Sequence, residues 1–96
     1  MMHTLYLITA AQLRAARALL GLDQRALAER AGLSHPTVQR MEASDGVIRG
    51  NIDSLGKLVG ALETAGIELL GDGIPSSGLG RGVRLRVRDA ASGNAP

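Results

Sequence analysis

Residues 21–42 read GLDQRALAERAGLSHPTVQRME, and this stretch decides the fold. Asp23 is a residue type that caps helix N-termini, and it predicts a helix over residues 24–31. Ser34 predicts a second helix in the same way, over residues 35–43. The glycine between the two helices supplies the positive φ that a sharp helix-to-helix turn requires. Two short helices joined so closely must cross at a steep angle.

The two helices also share an apolar face. Their inward side chains can fill one wedge between them, and a small residue, Ala28, stands where the helices approach each other. The outer face of the second helix is then raised above the surface and fits a groove about 12 Å wide, which is the width of the DNA major groove. The wedge consists of Leu27, Leu33, Val38 and Met41.

Further helices are predicted on both sides of this pair. Thr9 and Gln12 have the spacing of a capping box, in which each side chain satisfies the backbone N–H of the other. They predict a first helix over residues 10–20, which a glycine ends. After a polar turn, Asn51 is expected to cap a fourth helix over residues 52–65. The fold class is therefore expected to be mainly α.

The chain beyond the helices shows the alternation that is typical of strands. Residues 67–70 read as a short strand, and residues 83–88 alternate valine or leucine with arginine. We expect a C-terminal β-hairpin or an added strand, whose apolar face must be buried within the chain or across a dimer. The predicted units are residues 1–8 as an N-terminal arm or short strand, 9–66 as the helical domain, 67–88 as the β segment and 89–96 as a disordered tail.

The arginines of this β segment allow three interpretations. They could form a solvated strand edge that charge protects against aggregation, or they could contact phosphates, or they could contact an acidic partner chain. The residues alone leave all three open. The row consists of Arg81, Arg84, Arg86 and Arg88.

Composition limits the class of protein. The chain has 96 residues, of which 45% are hydrophobic, and this suits one domain with a modest core. Tyr6 is the only aromatic residue, so the core must be built from aliphatic side chains. The formal net charge is +2, and arginine supplies nearly all of the positive charge. No apolar stretch approaches the roughly 20 residues that span a bilayer, and no secretory signal is recognisable, so a cytoplasmic protein is expected.

The chain offers little material for catalysis. It has no cysteine, which excludes disulfides and thiolate metal sites, and its only histidines are His3 and His35. Ser34 and His35 are adjacent and project from different sides of a helix, so they do not form a nucleophile–base pair. The glycines at positions 78, 80 and 82 lack the strand–turn–helix context of a nucleotide-binding loop. Neither an enzymatic activity nor a metal or cofactor is expected.

The helical region resembles the lambda-repressor-like, or xenobiotic-response-element, family of helix-turn-helix regulators. The resemblance covers about residues 9–65. It combines a G-L-x-Q entry to the second helix, an L-A-x-x-A-G-[hydrophobic]-S turn, a T-V-x-x-[hydrophobic]-E third helix and a fourth amphipathic helix. It implies a four-helix bundle that binds double-stranded DNA through its third helix.

The resemblance also implies roles for individual residues. Gln24 matches a glutamine that clamps a phosphate and steadies the first base-reading side chain. Gln39 and Arg40 are expected to reach base edges, because glutamine pairs with adenine and arginine with guanine. Pro36 departs from the usual polar residue and offers only an apolar contact. The exposed positions of the third helix are Ser34, His35, Pro36, Gln39 and Arg40, and the expected phosphate contacts are Thr37, Ser44, Arg49 and Asn51.

Arg17 and Glu42 match a pair that in this family forms a buried ion pair between the first and third helices. Family members of this size include phage-type repressors and the antitoxins of toxin–antitoxin pairs. The resemblance therefore implies a transcriptional regulator, expected to be a repressor, that binds a pseudo-palindromic operator as a homodimer. The alternatives are an antitoxin that also binds a toxin through the C-terminal segment, and a protein-interaction adaptor that reuses the fold.

Overall fold

The computed structural model of the chain describes residues 8–86. This range contains the four helices that the sequence predicts, and their bounds agree with the predicted ones to within one residue. None of the helices in the described range is long and apolar enough to cross a bilayer. The helices are α1 (Ala10–Leu20), α2 (Gln24–Ala31), α3 (His35–Glu42) and α4 (Ile52–Thr64).

Each helix begins at the cap that the sequence predicts. A side-chain oxygen of the cap accepts a hydrogen bond from the backbone N–H three residues further on, which satisfies a donor that the helix itself leaves free. Thr9 completes a capping box, because its own N–H donates to Oε1 of Gln12 at 2.9 Å. The four caps are Thr9, Asp23, Ser34 and Asn51.

The turn between α2 and α3 depends on backbone conformation. Gly32 has a φ of 70°, in the left-handed region that side chains with a Cβ rarely adopt. Its N–H bonds to carbonyl groups in the last turn of α2, and the N–H of Leu33 donates to the carbonyl of Ala28 at 2.9 Å. These bonds close α2 at Ala31 and let α3 begin at His35, after only three intervening residues.

One aliphatic core joins the four helices. Of the predicted wedge, Leu27, Val38 and Met41 are buried and Leu33 is partly buried against them. Glu42 is the only charged residue among the buried ones of the described chain. Each fully buried leucine or valine stabilises the fold by about 1.5–3 kcal/mol. The largest fully buried side chains are Leu13, Leu27, Val38, Met41, Leu58, Val59 and Leu62.

The entry to α1 is tied to the loop between α3 and α4. The N–H of Ile48 donates to the carbonyl of Ile8 at 3.0 Å, and the N–H of Ala10 donates to the carbonyl of Gly46 at 2.8 Å. Ile8 and Ile48 are both buried in the core, and an isolated antiparallel bridge pairs their neighbours Thr9 and Val47. Only residue 8 of the predicted N-terminal arm lies within the described residues, and there it contributes to the helical domain.

The predicted C-terminal hairpin is not confirmed. Residues 67–70 and 83–86 are irregular, and the described part of the chain holds no strand beyond the isolated bridge. Val83 and Leu85, which the alternation requires to be buried, are 79% and 94% exposed. The physical reason is that no second strand or helix of residues 8–86 covers this apolar stripe. Residues 87 and 88 of the predicted strand, and the tail predicted to be disordered, lie outside the described residues.

Polar side chains organise this C-terminal segment instead. The carboxylate of Glu68 accepts hydrogen bonds from both hydroxyls and two backbone N–H groups of Ser76, Ser77 and Gly78, at 2.8–3.2 Å. These bonds, above all the one from the backbone of Ser77, hold the pKa of Glu68 below its usual value. A guanidinium N–H of Arg84 donates to the carbonyl of Ile74. The C-terminal segment is therefore held together by hydrogen bonds that are exposed to solvent.

Candidate nucleic-acid interface

The outer face of α3 is exposed while its inner face is fixed in the core. Val38 and Met41 are buried at 0% and 1% exposure, and they lock the rotation of the helix about its axis. Pro36, Gln39 and Arg40 are exposed on the other side. The helix thus presents one apolar, one amide and one guanidinium group on a rigid frame, which is the arrangement that direct reading of base edges requires.

An ion pair between Arg17 and Glu42 holds α3 against α1. Arg17 donates from Nε to Oε2 of Glu42 at 2.5 Å and from Nη2 to Oε1 at 2.9 Å, so the guanidinium grips both carboxylate oxygens. Its third nitrogen, Nη1, donates to the carbonyl of Leu22 at 3.1 Å. The Arg17 side chain is 23% exposed and the Glu42 side chain is 4% exposed. Arg17 and Glu42 are the two residues that the resemblance matches to an ion pair between the first and third helices.

A second arginine supports the same helix end. Arg14 lies one turn before Arg17 on α1 and donates from Nη1 to the backbone carbonyl of Glu42 at 2.8 Å. Sequence reasoning assigned Arg14 no role. The available signal was its position three residues from Arg17, which puts both arginines on the same face of α1.

The protonation of Glu42 follows from these contacts. Burial disfavours its charged form and is the largest single influence on its pKa. The hydrogen bonds from Arg17 and Gln24, together with the charges of Arg17 and Arg14, outweigh burial and lower the pKa of Glu42 below its usual value. The hydrogen bond to Glu42 raises the pKa of Arg17. The pair is therefore ionised at neutral pH.

Gln24 is not free at the surface as a simple phosphate clamp would be. Its Nε2 donates to Oε1 of Glu42 at 2.9 Å, and its Oε1 lies 3.4 Å from Nε2 of His35. The amide therefore connects the buried ion pair with the first residue of α3. An open depression of about 330 Å³ at this point is lined by Arg17, Asp23, Gln24, Arg25 and His35.

The hydroxyl residues of α3 form a separate small network. Ser34 Oγ caps the helix and lies 2.8 Å from Oγ1 of Thr37. Arg40 Nη2 donates to the same Thr37 oxygen at 3.5 Å, and Ser44 Oγ donates to the carbonyl of Arg40 at 3.4 Å. The Ser34 hydroxyl therefore caps α3. Because it is exposed, it also remains accessible for the predicted DNA contact.

Two of the predicted phosphate contacts stand apart from these networks. Arg49 and Asn51 are exposed in the loop between α3 and α4. Oδ1 of Asn51 accepts from the N–H of Ser54 at 2.7 Å, which leaves the amide N–H groups of Asn51 as the available donors. Within the described residues, no hydrogen bond joins Arg49 or Asn51 to the networks around Gln24 and Thr37.

A family model described as a helix-turn-helix domain matches residues 9–68, which is well over half of the chain. The match begins at the Thr9 cap and extends just past α4, so it includes all the helices and both networks described above. No curated protein and no solved structure matches the chain significantly.

Proposed function

Because the chain belongs to the helix-turn-helix domain family, we propose that it is a sequence-specific, double-stranded DNA-binding transcriptional regulator, and in particular a repressor. In this proposal α3 enters the major groove and positions its outer side chains against the base edges. One observation carries the proposal. The inner face of α3 is locked by the core and by the Arg17–Glu42 pair, while Pro36, Gln39 and Arg40 remain exposed.

The proposed contacts divide into two kinds. Gln39 and Arg40 read base edges, since their exposed amide and guanidinium groups offer paired hydrogen bonds that discriminate by about 1–3 kcal/mol each. The remaining polar groups fix the orientation of the protein by binding phosphates and sugars. These are the second N–H of the Gln24 amide, which the bond to Glu42 leaves over, the hydroxyls of Ser34, Thr37 and Ser44, the Arg49 guanidinium and the Asn51 amide.

We further propose that the regulator acts as a homodimer. A two-fold dimer would place two copies of α3 about 34 Å apart, one turn of duplex, and would require a pseudo-palindromic operator. The exposed apolar side chains of Val83 and Leu85 support an association through the C-terminal segment, since an unpaired apolar stripe is costly in water.

Selection of bound duplexes from a random pool tests the function. We expect a symmetric consensus whose half-site spacing gives the dimer geometry. In a binding assay, Arg40→Ala should weaken affinity for the selected duplex by about tenfold and leave affinity for random duplex nearly unchanged. Arg30→Ala is the matched control, because Arg30 is an exposed arginine near the end of α2. Failure to enrich any sequence at low salt would contradict the proposal.

The positioning contacts are tested by salt dependence. Arg49→Ala should lower affinity equally for selected and random duplexes and reduce the slope of log affinity against log salt by about one unit. A slope equal to that of the unmodified protein would remove Arg49 from the phosphate contacts. A loss confined to the selected duplex would make it a base contact instead.

A second role is proposed for the C-terminal segment, namely binding of a toxin as an antitoxin does. The exposed Leu79, Val83 and Leu85 beside Arg81, Arg84 and Arg86 favour it, because an apolar stripe flanked by positive charge suits an acidic partner with an apolar groove. Leu85→Asp should then abolish a complex with the product of an adjacent gene and preserve duplex binding. If Leu85→Asp abolishes only self-association, the segment serves the homodimer.

A further inference from the structure

The positive charge of the described chain is concentrated outside the helical domain. Residues 9–66 hold seven lysines and arginines against six acidic residues, a net charge of +1. Residues 73–86 hold three arginines and no acidic residue, a net charge of +3 in a much shorter stretch. These arginines lie in residues 79–86, which we call the arginine arm. The arm is therefore where the described chain offers its strongest attraction to a polyanion.

The chain that leads to the arm is anchored at the entry to α1. Nε2 of Gln12 donates to the carbonyl of Leu70 at 2.9 Å, while Oε1 of the same amide accepts the N–H of Thr9 in the capping box. Thr9 also pairs with Val47 in the isolated bridge. The anchor therefore lies beside the loop between α3 and α4, two residues before Arg49, which is one of the proposed phosphate contacts.

Two sets of hydrogen bonds fold the arm back toward this anchor. The Glu68 carboxylate holds residues 76–78, and the guanidinium of Arg84 donates to the carbonyl groups of Gly71 and Ile74, which follow the anchor closely in the chain. Arg84 is thereby returned to the neighbourhood of the anchor. Arg86 is two residues further on, which is at most about 7 Å along an extended chain. The arm therefore lies near the same end of the domain as the loop between α3 and α4.

The arginines of the arm differ in what they already contact. Arg84 holds the fold of the segment through the two carbonyl groups. Arg81 and Arg86 are exposed, and neither makes a hydrogen bond or an ion pair with another residue of the range 8–86. Two guanidinium groups are therefore available to a ligand, on a segment whose position the third one fixes.

We propose that Arg81 and Arg86 bind DNA phosphates next to the one that Arg49 binds, as a sequence-independent contact outside the helix-turn-helix. This inference rests on the proposed function. A duplex carries one negative charge per about 1.7 Å of its axis, so a basic arm beside one phosphate contact meets further phosphates. An acidic protein would fit the charge of the arm alone, whereas a duplex fits both its charge and its position beside Arg49.

Salt dependence gives the first test. On a random duplex, the double variant Arg81→Ala/Arg86→Ala should reduce the slope of log affinity against log salt by about two units, because two phosphate contacts are lost. The control Arg30→Ala/Lys57→Ala removes the same charge from exposed positions on α2 and α4 and should leave the slope nearly unchanged. An unchanged slope in the arm variant, or an equal reduction in the control, would overturn the proposal.

A conservative variant tests whether charge is what binds. Arg81→Lys/Arg86→Lys keeps both positive charges and should keep the slope of the unmodified chain, since the release of counterions depends on the charge that neutralises each phosphate. A slope as low as that of the alanine variant would contradict a contact that depends on charge.

The position of the arm is tested by ethylating single phosphates of a bound duplex. We expect Arg49→Ala to abolish the sensitivity of one phosphate, and Arg81→Ala/Arg86→Ala to abolish that of phosphates adjacent to it. If the arm variant keeps every sensitive phosphate, or loses phosphates remote from the one assigned to Arg49, the proposed placement is wrong.

These measurements separate the inference from the function on which it rests. If selection enriches a duplex but the arm variant keeps its slope, the proposed function stands and the arm does not bind DNA. If, in addition, the arm variant no longer binds the product of an adjacent gene, the arginines serve an acidic protein partner instead. If no sequence is enriched but binding to random duplex depends on the arm, the arm inference stands and the sequence-specific function fails. Absence of binding to any duplex at low salt would overturn both.

Discussion

The helical domain, residues 8–66, and the exposed part of the C-terminal segment, residues 71–86, organise their apolar residues in opposite ways. In the domain, Leu13, Leu58 and Leu62 have no measurable exposure. In the segment, Leu79 and Leu85 are at least nine-tenths exposed, at 103% and 94%. Leucine is common to both, so the difference lies in what surrounds it. The domain provides four helices that face one another, and the segment provides a single irregular chain.

The polar contacts of the two regions differ in the same way. Glu42 and Glu68 both have a lowered pKa because hydrogen bonds favour their charged forms. Glu42 achieves this inside the domain, beside two arginines, whereas Glu68 does so at the surface with serine and backbone donors. The hydrogen bonds of Glu68 therefore contribute less to the free energy of unfolding than those of Glu42, because water competes for exposed contacts and not for buried ones.

The largest expected change in the free energy of unfolding comes from comparing two leucines, one in each region. Leu58→Ala should lower the free energy of unfolding by about 3–5 kcal/mol, because the lost burial is compounded by a cavity. Leu85→Ala, the same substitution in the segment, should change it very little. Denaturant unfolding at two protein concentrations measures both values and separates the effect of self-association. Equal losses would show that the segment packs as tightly as the core.

The next largest change in the free energy of unfolding comes from comparing two glutamates, one in each region. Glu42→Gln should lower the free energy of unfolding by about 3 kcal/mol, the low end for a broken buried pair, since Arg17 retains 23% exposure. Glu68→Gln should leave global unfolding nearly unchanged and increase hydrogen exchange at Ser77 and Gly78. A loss of similar size in both variants would contradict the distinction between the two regions.

The Glu42 contribution should also depend on pH. Its pKa is lowered on folding, so the stabilisation is complete above the unfolded value of about 4.3 and is lost as the pH falls through the folded value. Unfolding measured between neutral and acidic pH should therefore show a falling stability in the unmodified chain. In Glu42→Gln that fall should be smaller. A parallel fall in both proteins would assign the acid sensitivity to other carboxylates.

The comparison also explains how far the sequence predicts the structure. The helices and their caps follow from local signals, such as the spacing of Thr9 and Gln12 and the glycine after Ala31, and the structure has them where expected. The alternation at residues 83–86 is an equally clear local signal, yet no strand forms there. A strand requires a partner, and the sequence of one chain does not state whether a partner lies within it.

The candidate site shows the same limit. The exposure of Gln39 and Arg40 follows from helical periodicity, and the Arg17–Glu42 contact follows from the resemblance. The contacts of Gln24 with Glu42 and His35 join residues that are 18 and 11 positions apart. Such contacts depend on how three helices meet, which periodicity within each helix does not determine. The burial of Ile48 beside Ile8 was missed for the same reason.

A glycine pair tests whether the sharp turn depends on backbone conformation. Gly32→Ala should cost about 1–2 kcal/mol, because alanine is strained at its φ of 70°, although no atom would clash with the added Cβ. Gly73 has a similar φ of 74° in the C-terminal segment, and Gly73→Ala should not alter global unfolding. Thermal unfolding of both variants provides the measurement. A neutral Gly32→Ala would mean that the turn between α2 and α3 tolerates another conformation.

The smallest expected effect has the opposite sign. Gly60 lies inside α4, where a close approach of neighbouring backbone would be one explanation for a glycine. A Cβ at this position would meet no atom within 4 Å, so that explanation is wrong. Gly60→Ala should then raise the free energy of unfolding by about 0.5–1 kcal/mol, since alanine restricts the unfolded chain and favours helix. Gly82→Ala, in the irregular segment, should produce no such gain in the same denaturation experiment. A neutral or destabilising Gly60→Ala would contradict the expectation that this glycine only weakens α4.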